Sequence, residues 1–237
     1  MKEGLVEQVD RYLRRSDTPL ARGIQAISPE TGSAYRNSRR KSVIEKAITL
    51  PAAIISAPLV GVLATAVKLE DGGSSFYQSE RIGQNGVVFD LIKIRSLHEN
   101  ADQDAEANMA VVYNAGNPDD HRSTRIGAWM RRRRFDELPQ LWQVLSGKIA
   151  LFGMRAVGEL TLQAMQKNRP KDARRILGDY VVAKPAVINP VTAFNHGNGS
   201  INERYHYNAF YARRASLGVD LYMGFRTLVR LLKKTES

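Results

Sequence analysis

Two adjacent carboxylates, Asp136 and Glu137, sit between four arginines (residues 131–134) and an apolar run, within RRRRFDELPQLWQVLSGKIALFG over residues 131–153. Leu138, Leu141, Trp142 and Leu145 recur at helical spacing, which predicts a helix with one face on a core, ended at Gly147. Asp136 falls at the expected N-cap of that helix, and Pro139 suits its first turn, where no N–H is needed. An acid there meets the positive end of the helix dipole, and the arginines add to that field. Asp136 is therefore expected to stay ionised at neutral pH. An ionised carboxylate beside cations able to hold a polyphosphate can carry out covalent phosphoryl transfer. Two plainer readings compete. The acids can act as a helix cap alone, and an arginine run can be solvated surface or nucleic-acid contact.

The chain has 237 residues, enough for one domain with a sizeable core and an appendage. Its formal net charge of +11 predicts attraction to anions: nucleic acid, acidic lipid headgroups or phosphorylated substrates. The absence of cysteine excludes disulfides, thiolate nucleophiles and cysteine-ligated zinc. His98, His121, His196 and His206 show no HxxxH spacing and read as surface or core residues.

Residues 47–67, AITLPAAIISAPLVGVLATAV, carry no charge over about the length of a bilayer span. They lie too far from Met1 for a cleavable signal peptide. Arg39, Arg40, Lys41 and Lys46 precede the segment and Lys68 follows it, and positive charge on both flanks argues that both ends stay on one face of a membrane. Pro58 removes a helix hydrogen bond mid-segment, and Ser56 is placed to satisfy a freed backbone group. A helix broken at Ala57-Pro58, dipping into one leaflet and returning, fits both observations. A kinked full span is the rival, and the moderately hydrophobic, alanine-rich composition also leaves a buried soluble helix open.

The remaining elements must position the acids. Residues 1–40 read as a basic appendage and linker, 41–68 as the membrane segment, and 69–237 as the main domain. A β-hairpin is expected around Asn85-Gly86, the usual two-residue turn signal. Residues 98–121 read as a loop with a short helix near 102–112, and 124–134 as a helix leading into the acid pair. Helices are also expected from Glu159 to about Gly178, interrupted near Pro170, and from Glu203 to Lys234. The last has Leu217, Leu221, Phe225, Leu228 and Leu232 along one side. The composite is a helix-rich α+β fold.

In order, the chain carries Lys41-x-x-x-Glu45, Ala57-Pro58, Arg81-Ile82 followed directly by GQNGVVFDLIKIRSL from Gly83, Thr124-Arg125-Ile126-Gly127, Met130-Arg131 and FDELPQLWQVLSGKIALFG. Together these motifs resemble those of the bacterial sugar transferase family, the monotopic phosphoglycosyl transferases that load polyprenyl phosphate. The resemblance covers roughly residues 41–234. It implies a re-entrant membrane helix-hairpin and a small cytosolic domain with surface-lying amphipathic helices, on the cytoplasmic face of the bacterial inner membrane. It implies Asp136 as the nucleophile toward a nucleoside diphosphate sugar, with a UDP-sugar expected. Glu137 then helps to hold Mg²⁺, and polyprenyl phosphate accepts the phosphosugar in glycan or exopolysaccharide assembly. Lys93, Arg95, Arg131 and Arg155 match basic positions expected near the phosphates, and Ser56, Ala57 and Pro58 match the membrane insertion. Arg132, Arg133 and Arg134 are assigned to the membrane surface. Membrane lipid is an expected partner, nucleic acid is not, and homo-oligomerisation is left open.

The chain departs from that pattern at three places. Gly153-Met154-Arg155-Ala156 lacks the family's two prolines, and Lys184-Pro185-Ala186-Val187-Ile188-Asn189 lacks its glycines. Asn208 stands where the family has an acid, although Asp220 is retained. The retained acid pair favours an active transferase. The departures leave a second reading, a non-catalytic membrane-bound interaction protein on the same fold.

Overall fold

The structure, a computed structural model, describes residues 29–101, 120–168, 171, 178, 181–194 and 201–233. The expectations for residues 1–28, for a helix near 102–112 and for an interruption at Pro170 lie outside the described residues. The described chain is helix-rich α+β. Helices α1 (Pro29–Arg36) and α2 (Arg39–Asp71) lead into strands β1 (Phe76–Ile82) and β2 (Val88–Ile94). Next come α3 (Arg125–Arg133), a 3-10 turn (Phe135–Glu137), α4 (Gln140–Leu145) and β3 (Ala150–Phe152). The chain closes with α5 (Glu159–Asn168), β4 (Ala186–Ile188), α6 (Pro190–Phe194), α7 (Ile201–Arg214) and α8 (Leu217–Lys233).

The expected hairpin is present: β1 and β2 pair antiparallel from Phe76 opposite Ile94 to Ile82 opposite Val88. Its connection is five residues (83–87) rather than two, closed by Gly83 N–H donating to Val87 O at 2.8 Å. Asn85 and Gly86 both adopt the left-handed conformation (φ 58° and 77°) that the Asn-Gly pair tolerates. The sequence reading missed a second sheet, in which β3 and β4 pair parallel with Ala150 opposite Ala186 and Phe152 opposite Ile188. Strands of three residues are too short to show a period.

Helix α2 runs unbroken for 33 residues, so Ala57 and Pro58 stay helical instead of opening a break. The Ser56 hydroxyl donates to Ala53 O at 3.2 Å, one residue before the carbonyl that Pro58 would leave without its donor. The Ser38 hydroxyl caps the start by accepting from Lys41 N–H, and Gly72 ends the helix in the left-handed conformation (φ 76°). An 18-residue window has mean hydropathy 2.1, long and apolar enough to cross a membrane by length and composition. Its two ends dock on the body and its middle does not. Lys41, Glu45, Thr49 and Ala53 form a buried stripe at four-residue spacing, and Leu63, Ala64 and Val67 are buried further on. Between these stripes Ile54, Ile55, Leu59 and Val62 are exposed.

A buried ionic cluster fixes the first docking point. Lys41 contacts Glu45, donates to Phe152 O at 2.8 Å and lies 3.0 Å from Asp220 Oδ2. The Tyr35 and Tyr211 hydroxyls each donate to Asp220 at 2.8 Å, and Glu45 accepts from Phe152 N–H at 2.9 Å. Burial, and then the Asp220 charge, push both tyrosines above their ordinary range, so they remain donors. The segment expected as linker thus includes α1, whose Tyr35 and Arg36 are tied to the body.

At the far end of α2, Leu63 and Val67 join Ile94 and Met130 in a small apolar cluster with Ile126 and Phe135. Gly127 makes that approach possible: a Cβ there would lie 2.0 Å from the Ser96 carbonyl oxygen. The main core gathers Val144, Leu151, Phe152, Met154, Tyr205, Tyr211, Val219 and Met223. In α8 it is Val219, Asp220 and Met223 that face inward, while Leu217, Leu221, Phe225 and Leu228 are exposed.

The ionic cluster has a direct test. Replacing Lys41 with Met strands two buried carboxylates, a change expected to cost about 3–5 kcal/mol. Thermal unfolding of the detergent-solubilised protein should show a large drop in midpoint, partly recovered when Glu45→Gln and Asp220→Asn are added. An unchanged midpoint would show that the cluster does not hold the helix.

Candidate functional site

The acid pair is set by a sharp turn rather than by a helix cap. Arg134 ends α3 in the left-handed conformation (φ 61°), which costs an L-residue about 1–2 kcal/mol. The chain then follows 3-10 bonding: Glu137 N–H to Arg134 O and Leu138 N–H to Phe135 O, both at 3.2 Å. Pro139 has no N–H to return an α-helical bond, so α4 begins only at Gln140 and Asp136 caps nothing. Of the face expected to be buried, Leu138, Leu141 and Leu145 are half-buried, Leu141 against the main core, and only Trp142 is exposed, at 47 %. Gln140, Gln143 and Val144 are buried beside them. Gln143 is drawn inward because its amide accepts from Ile92 N–H at 3.0 Å and donates to Asp90 O at 2.6 Å. That pairing binds α4 to β2, the strand that carries Lys93.

The structure treats the two acids differently. Glu137 accepts from Lys93 Nζ at 2.9 Å and from the Arg134 guanidinium. These cations, with Arg155, overcome the burial cost and hold its carboxyl well below the usual range. Asp136 is 7 % exposed, with Lys93 Nζ at 3.9 Å and no hydrogen-bond donor among the described residues. Burial pushes its pKa upward and the neighbouring Glu137 adds to the rise, against the opposing pull of Lys93, Arg134 and Arg131. The expectation of a simply stabilised Asp136 is therefore corrected: the surrounding field steadies Glu137, and Asp136 keeps its oxygen lone pairs open.

Of the four basic residues expected around the acids, the structure gathers two tightly. Lys93 bridges toward both carboxylates, and Arg155 lies within electrostatic reach of Glu137. Burial and the cations around it bring Arg155 down to about 10, still a cation at neutral pH. Arg131 influences Asp136 from one side, donating to the Ser123 hydroxyl at 3.2 Å and lying 3.8 Å from Asp120. Arg95 is not part of the site. Its guanidinium pairs with Asp71 and donates to the carbonyls of Ser74 and Leu97, so it clamps the end of α2 to the hairpin.

One further arginine joins the acids directly, and two lie near Arg155. Arg134, expected at a membrane surface, is instead the partner of Glu137. Arg81 from β1 and Arg204 from α7 are close enough to depress Arg155. Arg204 is buried. Arg81 stood within a recognised motif without a role, and Arg204 lay in a helix with no local signal. Arg132 and Arg133 remain exposed, with the Arg133 guanidinium 4.8 Å from the Trp129 ring centre.

The departures are accommodated locally. The loop without its prolines is tied by Met154 N–H to Lys184 O at 3.3 Å and Ala186 N–H to Met154 O at 2.8 Å. The Asn208 side chain accepts from Arg155 N–H at 2.8 Å. An amide oxygen there keeps the acceptor that a carboxylate would have supplied. Ala186 sits in the β3–β4 ladder, and Ala156 is half-buried against the core.

Among the described residues no three metal-ligating side chains come together. Two adjacent carboxylates suffice for Mg²⁺ when substrate phosphates and water complete its octahedron. Glu137 already carries Lys93 and Arg134, but each of its oxygens retains a lone pair. The donor set fits a metal shared with a phosphorylated substrate.

The family profile described as bacterial sugar transferase matches residues 36–234, and the chain belongs to that family. It is 28% identical over 216 residues to the exopolysaccharide production protein ExoY of Rhizobium meliloti, covering 86% of this chain and 87% of that one. It is 32% identical over 177 residues to the UDP-galactose-lipid carrier transferase of Erwinia amylovora, covering 69% of this chain and 34% of that one. The undecaprenyl-phosphate galactose phosphotransferase of Salmonella typhimurium is 26% identical over 220 residues, 89% of this chain and 44% of that one. The chain thus spans less than half of the Erwinia and Salmonella proteins.

The opposed pulls on Asp136 generate a signed expectation. Lys93 is the largest influence favouring its ionised form, so Lys93→Met should raise its pKa further. If Asp136 reacts as the carboxylate, the acidic limb of the pH–rate profile moves to higher pH, and kcat/KM falls about 10²-fold. Arg95→Lys should leave the limb in place because its side chain faces Asp71. An unmoved limb in Lys93→Met would remove Lys93 from this role.

Proposed function

We propose that the chain transfers a phosphosugar from a nucleoside diphosphate sugar to a polyprenyl phosphate, at the cytoplasmic face of a bacterial inner membrane. The observation that carries this reading is the Asp136 carboxylate, undonated and buried beside Glu137 within a wall of cations. The names of the Erwinia and Salmonella relatives support both the lipid acceptor and the phosphotransfer, and the Erwinia name supports a UDP-sugar donor. The ExoY relative supports a place in exopolysaccharide production.

In the proposed reaction an Asp136 oxygen attacks the β-phosphorus, and the bond to the bridging oxygen breaks to release a nucleoside monophosphate. The aspartyl-linked phosphosugar is then attacked by a polyprenyl phosphate oxygen, and the carboxylate leaves as it was. Lys93 and Arg155 stabilise charge on the transferring phosphoryl group, with Arg81, Arg131 and Arg204 placed to assist. Anionic nucleophile and anionic substrate meet only where such charges are already fixed in place. Glu137 would help to hold Mg²⁺, which would neutralise further charge on the substrate phosphates. Glu137, already committed to Lys93 and Arg134, fixes that frame.

Helix α2 supplies the membrane contact. Docked stripes at both ends, with exposed Ile54, Ile55, Leu59 and Val62 between them, support a continuous helix whose undocked middle enters lipid. An active site held at headgroup level meets the acceptor phosphate without drawing its chain out of lipid.

Nucleoside monophosphate release tests the reading. Detergent-solubilised protein with Mg²⁺, undecaprenyl phosphate and a panel of UDP-sugars should release UMP with one donor, and Asp136→Asn should not. An active Asn variant would dispose of the nucleophile. Silence across the panel from folded wild-type protein would favour a non-catalytic role.

A further inference from the structure

A cavity of about 120 Å³ lies at the start of α2, away from the acid pair. The acids precede α4, whereas Val144 and Gly147, which line the cavity, lie at and beyond its other end. Four cations line it: Arg36, Lys41, Lys46 and Lys184. Its one lining carboxylate, Glu45, is engaged by Lys41 and by Phe152 N–H. Lys41 is in turn balanced by Glu45 and Asp220. That leaves Arg36, Lys46 and Lys184 as three positive charges with no carboxylate in ion-pair reach among the described residues.

The cavity is built rather than a loose surface cluster. Arg36 is held by the carbonyls of Val182 and Ala212, and Lys184 donates to Gly147 O at 2.9 Å. Gly147 has no side chain, and a Cβ on it would already lie 3.9 Å from Lys46 Nζ. Ser38, Ser42 and the positive end of a 33-residue helix complete the lining. Such a space suits a tetrahedral oxyanion. Its level in the fold narrows the source, because the uncharged run begins at Ala47, the residue after Lys46. Where α2 enters lipid, Lys46 is at the depth of the headgroup phosphates.

We propose that this cavity holds the phosphate of an anionic phospholipid headgroup and so fixes the depth at which α2 enters the membrane. Basic pockets beside membrane helices recognise lipid headgroups through this combination of charge and enclosure. The site is separate from the reacting carboxylates, and the proposal does not rest on turnover.

Native mass spectrometry of the full chain in detergent tests it, using phosphatidylglycerol, phosphatidylcholine and inorganic phosphate as probes. One phosphatidylglycerol per chain should be retained in preference to phosphatidylcholine, and millimolar phosphate should not displace it. Lys46→Ala should weaken retention about fivefold, the weight of one cation at a lipid phosphate. Lys46→Arg should preserve it. Arg132→Ala, with the same change in net charge on α3, should leave retention unchanged. Equal retention of both lipids, displacement by free phosphate, or equal loss in Lys46→Ala and Arg132→Ala would each overturn the proposal.

Discussion

The site depends on an unequal division of charge between two neighbouring carboxylates. A pair of acids side by side in a buried turn repel each other and resist ionisation. Here Lys93 and Arg134 engage Glu137, while no described donor reaches Asp136. Glu137 therefore carries settled charge, and the surrounding cations can act on whatever approaches Asp136. The backbone enforces this division. The left-handed Arg134 reverses the chain so that its own guanidinium reaches Glu137 three residues on.

That turn is held from several directions. Gln143 ties α4 to β2 and sets Lys93 against the acids, while Phe135 packs toward the cluster of Leu63, Val67, Ile94 and Met130. The same cluster receives the far end of α2, so the long apolar helix and the acid pair share one packing unit. At its near end α2 is held through Lys41, Glu45 and Asp220. Asp220 belongs to α8, close to the end of the chain, and this contact closes the domain around its core.

Much of this was legible in the sequence because the relevant residues are local. The hairpin followed from Asn85-Gly86 and its flanking runs, the long apolar helix from its uncharged length, and the acid pair from its arginine setting. Other features depend on contacts distant in sequence. Arg95 and Arg155 look alike in the chain, and only Asp71 beside one and Glu137 near the other distinguish them. Arg204 becomes part of the basic wall only when α7 packs across the domain. The N-cap expectation for Asp136 failed because Arg134 adopts a backbone conformation that arginine seldom takes. Trp142 of the apolar face assigned to α4 is exposed, and the polar Gln143 is buried instead because its amide bonds to the β2 backbone, which periodicity does not reveal.

The central claim is that Asp136 reacts covalently, and the most direct measurement is the intact mass of the protein after brief exposure to its sugar nucleotide without a polyprenyl acceptor. The account predicts a mass gain equal to one phosphosugar, mapped to the peptide containing Asp136 and discharged when polyprenyl phosphate is added. Nucleoside monophosphate release without any adduct, or an adduct on another residue, would contradict it.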